Sequence, residues 1–141
     1  MSDIQHGKHA DTRSRIGIAL SVDGVHWHRA QAEPVLGYGR AGQWDEQGLL
    51  APRLWFDHGT YYLNYSGKDE KTGMSSLGHA TATSVRNWVK STRNPIIYHS
   101  QTRYREVEWG TPVQWKDRWY LLVTTYFDEG STTLWVGVRP D

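Results

Sequence analysis

The 141-residue chain carries 16 Lys and Arg against 15 Asp and Glu, a formal net charge of +1, and no Cys. The balance of charge removes any long-range pull toward nucleic acid or an acidic membrane. The lack of thiols removes disulfides, thiolate nucleophiles and Cys-based zinc sites.

Residues 1–15 are polar and read as a loose arm, without the apolar region of a signal peptide. No apolar run approaches the roughly 20 residues that span a bilayer. No membrane association is expected, and a cytoplasmic location is the default. His6 and His9 lie in the arm with no further ligand nearby, and His26 and His28, which could chelate from one strand face, read instead as an exposed His-rich face, so no metal site and no cofactor is expected. The aromatic residues, 8 Trp and 8 Tyr but only 2 Phe, are of the kind that packs in a core and also stacks on sugars.

Ile16 to Ser21 alternates large and small residues and reads as a strand, turning at Asp23-Gly24 into a second strand, Val25 to Arg29. Glu33-Pro34 ends this hairpin. Gly37 to Gly42 spells G-x-G-x-x-G, but no helical period follows it, so a flexible loop is expected instead of a dinucleotide site. Leu49 to Phe56 and Tyr61 to Ser66 form the next strand pair across the turn at residues 57–60, with Pro52 at an edge or strand start. A polar loop, residues 67–76, leads to Leu77.

From Leu77 the first hairpin recurs. Gly17, Ala19, Trp27 and Pro34 match Gly78, Ala80, Trp88 and Pro95, each 61 apart (78 − 17 = 61). The second strand pair recurs as well, with Pro52 to Asp57 matched 60 residues on by Pro112 to Asp117 and Tyr61 by Tyr120 at 59. A third copy begins at Leu134. Strands with regular turn signals and no amphipathic helix give an all-β class, and a repeat of about 60 residues with four strands reads as a β-propeller blade. The expected organisation is a half blade at 16–36, a full blade at 49–97 and an incomplete blade at 113–138. A blade cannot cover both its own faces. The chain is therefore expected to be a piece of a longer propeller or a subunit of a homo-oligomer that completes the ring.

S-x-D-G-x-x-W at Ser21 to Trp27, W-D-x-x-G at Trp44 to Gly48, Y-Y-L-x-Y-S-G at Tyr61 to Gly67 and the Asn94-Pro95 pair together resemble the five-bladed propeller glycoside hydrolases. These comprise families 32, 43 and 68, with family 130 and related predicted glycosidases. The resemblance spans Ile16 to Val138 and implies carbohydrate as substrate or ligand. It also implies a site at the mouth of the central channel, where inner strands supply paired carboxyls. The carboxyl separation is about 5–5.5 Å for retention and 6.5–9.5 Å for inversion. The family's orienting Asp falls on Ala51, before Pro52, and its acid Glu on Gly110, two residues before Pro112.

Both positions lack a carboxylate, which leaves three readings: a hydrolase completed from other blades, a non-catalytic carbohydrate-binding propeller, and a structural fragment. Glu108, two residues from Gly110 and so on the same face of a regular strand, is the candidate acid, with Asp45 as a second catalytic candidate. Trp44, Trp109, Arg53 and Glu106 are the candidate substrate contacts. The alternatives are blade packing for the tryptophans, a turn residue for Asp45, and, for the glutamates, solvated rim charges or pairing with Arg53, Arg103 or Arg105.

Overall fold

The computed structural model describes residues 13–101, 106–126 and 132–138. The arm histidines, Arg103 and Arg105 lie outside them. The described residues are all-β apart from a single 3-10 turn at His99–Gln101. Among the described residues no helix is long and apolar enough to cross a membrane. Nine strands among the described residues make three antiparallel sheets. The first pairs β1 (Ala19–Leu20) with β2 (His28–Arg29). The second runs in order through β3 (Gly48–Asp57), β4 (Thr60–Lys68), β5 (Ser75–Ala82) and β6 (Trp88–Lys90). The third holds β7 (Glu106–Trp115), β8 (Arg118–Tyr126) and β9 (Thr132–Val138).

The first hairpin has shorter strands and a wider turn than its sequence suggests. Side chains take the place of a backbone ladder between Ser21 and Trp27. Asp23 Oδ1 accepts from the amides of Val25 (2.9 Å) and His26 (2.8 Å), and Ser21 Oγ from that of Gly24 (2.9 Å). Gly24 has φ 74°, which glycine reaches at little cost. The indole of Trp27 closes the turn on the Gly24 carbonyl at 3.2 Å. Trp88 does the same to the Val85 carbonyl at 3.1 Å, 61 residues on. The backbone bonds follow the same offset. Ala30 donates to Ile18 as Ser91 does to His79, both at 2.9 Å, and the Ile16–Leu36 bridge has its counterpart in Leu77–Ile97.

The inner strand pairs correspond at a different offset. Asp57 pairs with Thr60 across His58 and Gly59, both at positive φ, and Trp115 pairs with Arg118 across Lys116, at φ 53°. The turns are thus 58 apart, not the 60 or 59 at which the sequences align. The difference of one from 59 matters, because a single-residue slip exchanges the two faces of a strand. Tyr65 therefore answers to Val123, both fully buried.

Two apolar layers join the sheets. Ile16, Val35 and Leu36 pack with Leu49, Leu63, Tyr65 and Ala80, with Trp44 and Trp88 at the margin. On the other face of the middle sheet, Leu77 packs with Val107 and Val123. Trp44 lies in a slot that only glycines leave open. A Cβ on Gly67 would stand 2.3 Å from the indole, and one on Gly78 2.5 Å. Alternation along β4 sorts its partners: Leu63 and Tyr65 face the first hairpin, while Asn64 and Ser66 face the third sheet.

Candidate site at the start of the inner strands

The innermost strands β3 and β7 are each interrupted by a β-bulge near their start. In β3 the pairing jumps from Leu50–Ser66 to Arg53–Asn64. Pro52, which has no N–H to give the ladder, sits in the gap beside Ala51, held at φ 49°. In β7 it jumps from Val107–Thr125 to Trp109–Thr124, so Glu108 is the extra residue.

The bulge in β7 overturns the expectation that Glu108 shares a face with Gly110. Val107 and Gly110, three residues apart, both lie against Leu77. A Cβ on Gly110 would stand 2.4 Å from Leu77 Cδ2, so the position aligned with the family's acid has no room for a side chain. The backbone there is clasped from the middle sheet. Asn64 Nδ2 donates to the Gly110 carbonyl at 3.0 Å, and the Ser66 hydroxyl donates to the Glu108 carbonyl.

Glu108 is left half-buried at the strand's beginning. Burial and then the charge of Glu106 raise its carboxyl above the ordinary value of 4.5, while a hydrogen bond from the Tyr126 hydroxyl and the charge of Lys68 pull it back. Tyr126 is the register partner of Glu106, and its ring stands 6.2 Å from that of Trp109. Glu106, Glu108 and Trp109 are thus brought together. Sequence reasoning missed Tyr126 and Lys68. Counting back from the turn at Lys116 pairs Tyr126 with Val107 instead of Glu106, because the bulge is invisible to strict alternation, and Lys68 reaches Glu108 from another sheet.

The other candidates lie apart from this group. Asp45 is buried on the opposite face of the middle sheet, its Oδ2 accepting from Lys90 Nζ at 2.6 Å, and its backbone carbonyl accepts from Gly39 at 3.1 Å. The Gly37–Gly42 loop is thereby tied to Asp45 and to Glu46, whose carboxylate accepts from the amide of Gly42. Trp44 is stacked on Tyr65 at 5.7 Å in its glycine slot. Arg53 is exposed further along β3, donating to the Pro52 carbonyl at 3.1 Å. No group of three or more metal-ligating side chains occurs among the described residues.

Beside Glu108, Lys68 also lines an open cavity of about 470 Å³ with Arg13, Gln47 and Glu70. The segment that brings Arg13 there is fixed to β3. Leu49 N donates to the Ser14 carbonyl at 3.0 Å, and a Cβ on Gly48 would stand 2.6 Å from Ser14 Oγ.

No family model and no curated protein matches the chain. Among solved structures, one described as a glycoside hydrolase superposes with a TM-score of 0.72 at 18% identity, over 96% of this chain and 39% of its own length. A thermostable family-43 glycoside hydrolase gives 0.63 at 18% identity, over 89% of this chain and 44% of its own. A structure from work on the GH130 mannoside phosphorylases, a family containing glycoside hydrolases that target β-1,2 mannosidic linkages, gives 0.59 at 19% identity, over 96% and 45%. The chain thus has the fold of the propeller glycoside hydrolases and spans about two fifths of the length of the first of these structures, 39%.

Proposed function

We propose that this chain carries part of the glycan site of a glycoside hydrolase-like propeller, with Glu108 as the proton-holding carboxyl. The observation that supports this is the setting of Glu108 on its bulge. It is partly withdrawn from water beside a second carboxylate, at the start of an innermost strand. Glycosidic cleavage needs one carboxyl that keeps its proton until it passes to the leaving oxygen, and a second carboxylate across the bond. Glu108 takes the first role. The Tyr126 hydroxyl steadies the carboxylate formed when the proton leaves, and Trp109 offers a ring face to the sugar. The second carboxylate comes from a blade of another subunit, a second copy of the chain in the assembly that is assayed.

A non-catalytic, sugar-binding role is the second reading. It is favoured by Ala51 and by the closed space at Gly110, where the family resemblance calls for carboxylates.

Chromophore release from a panel of aryl glycosides separates the two. For the catalytic reading, Glu108→Gln lowers kcat/KM by about 100-fold or more while sugar-induced quenching of Trp fluorescence persists. Activity falls as pH rises through the elevated Glu108 pKa, since the acid form does the work. Tyr126→Phe removes a bond that favours the carboxylate and shifts this limb to higher pH. Quenching without turnover by the unaltered chain supports the binding reading and sinks the catalytic one.

A further inference from the structure

We infer that the outward face of the first hairpin is a docking surface for a protein segment in which a Trp is followed by an acidic residue. Alternation sends Ile16 and Ile18 toward the middle sheet and Gly17 and Ala19 the other way. Gly17, Ala19 and Arg29 line an open cavity of about 410 Å³ there, with Glu33 and Pro34. Arg29 is exposed, and its side chain makes no hydrogen bond or ion pair among the described residues.

The middle sheet shows what a surface of this kind takes. The counterparts 61 residues on are Gly78, Ala80 and Lys90, in the same register: Ala19 pairs with Arg29 as Ala80 does with Lys90. There Gly78 and Ala80 are buried. Trp44 fills the space over Gly78, where a Cβ would stand 2.5 Å from its ring, and Asp45 accepts from Lys90 Nζ at 2.6 Å. A Cβ on Gly17 would meet nothing within 4 Å. The first hairpin thus repeats the glycine, the alanine and the cation of the Trp-Asp slot on an open surface.

The chemistry of that surface selects the occupant. Without a Cβ, Gly17 lets a flat ring lie against the strand backbone, as Gly78 does for Trp44. Arg29 offers a carboxylate two parallel N–H donors. Glu33 in the same wall repels a bare anion, so the carboxylate binds only together with its ring. The volume falls within the range of small-ligand sites, roughly 300–1,000 Å³, enough for an indole and its neighbour.

The test is fluorescence anisotropy of a labelled peptide of residues 42–48, Gly-Gln-Trp-Asp-Glu-Gln-Gly, titrated with the whole chain. The Trp44→Ala and Asp45→Lys forms of the peptide bind at least about tenfold more weakly. Gly17→Leu in the chain fills the cavity and costs about tenfold as well, with the thermal midpoint unchanged because the position is open. Arg29→Glu in the chain weakens binding of the unaltered peptide and strengthens that of its Asp45→Lys form, an exchange that loss of folding cannot produce. Equal binding of the three peptides overturns the inference, as does full binding to the Gly17→Leu chain, which would place the peptide elsewhere. Absence of peptide binding overturns it too. If the chain then forms a multimer that Gly17→Leu dissociates, the occupant is a second copy instead.

Discussion

Gly110 shows how a single residue reports on packing that a sequence alignment reads as chemistry. Its position answers to a catalytic glutamate in the family that the chain resembles, yet its missing side chain is what lets β7 close on Leu77. Gly110→Ala forces a methyl group into a fully buried leucine. We expect it to lower unfolding free energy in urea by about 1–3 kcal/mol, the usual cost of overpacking. Leu77→Ala added to Gly110→Ala gives a smaller total loss than the sum of the single losses, because the cavity left by one takes up the methyl of the other. Strict additivity would mean that the two positions do not touch. Asp45 carries a similar lesson. It is an acidic residue in a Trp-Asp motif, and the fold gives it to Lys90 in a partly buried ion pair.

At the scale of elements, the middle sheet and the third sheet are joined by polar contacts as well as by Leu77, Val107 and Val123. Asn64 donates its amide N–H to the Gly110 carbonyl, so its Oδ1 faces His79 Nδ1 at 2.8 Å, and that nitrogen carries the proton. Asn94 holds the His79 backbone from both sides, at 2.8 and 2.9 Å. Burial lowers the pKa of His79 from its ordinary 6.5 and keeps the ring neutral. The unfolded chain therefore takes up this proton first as pH falls. Stability attributable to His79 is full above pH 6.5 and declines below it until the folded pKa is passed. We expect the thermal midpoint of His79→Gln to fall less steeply than that of the unaltered chain over this range. Parallel curves would rule out the linkage.

Over the described residues, large apolar side chains are left in water on the hairpins, at Val22, Val25, Trp27 and Val89, and also on the inner strands. The first hairpin reaches Leu49 and Leu63 but leaves Leu54 (53% exposed) and Phe56 (59%) uncovered on β3, and Trp115 (59%) is uncovered on β7. Large apolar side chains exposed on inner strands favour association. We expect size-exclusion chromatography with light scattering to give a mass above that of a monomer. Charged substitutions, Phe56→Lys with Trp115→Lys, lower it toward the monomer. A cooperative, stable monomer under the same conditions would overturn this expectation.

The all-β class and the blade-like order of strands were legible in the chain because they rest on local signals. These are Gly and Asp at turns, alternation between them, and Trp and Pro recurring 61 residues apart. The closeness of Glu106, Glu108 and Trp109 was legible for the same reason, since all three lie on one strand. What only the tertiary structure decided depends on register between strands distant in sequence. Two bulges and a turn offset of 58 determine which face each side chain takes, and they place Glu108 with Tyr126 and Lys68 while burying Gly110. A bulge leaves no fixed residue pattern, because any side chain can occupy the extra position when the partner strand and the neighbouring sheet hold it there.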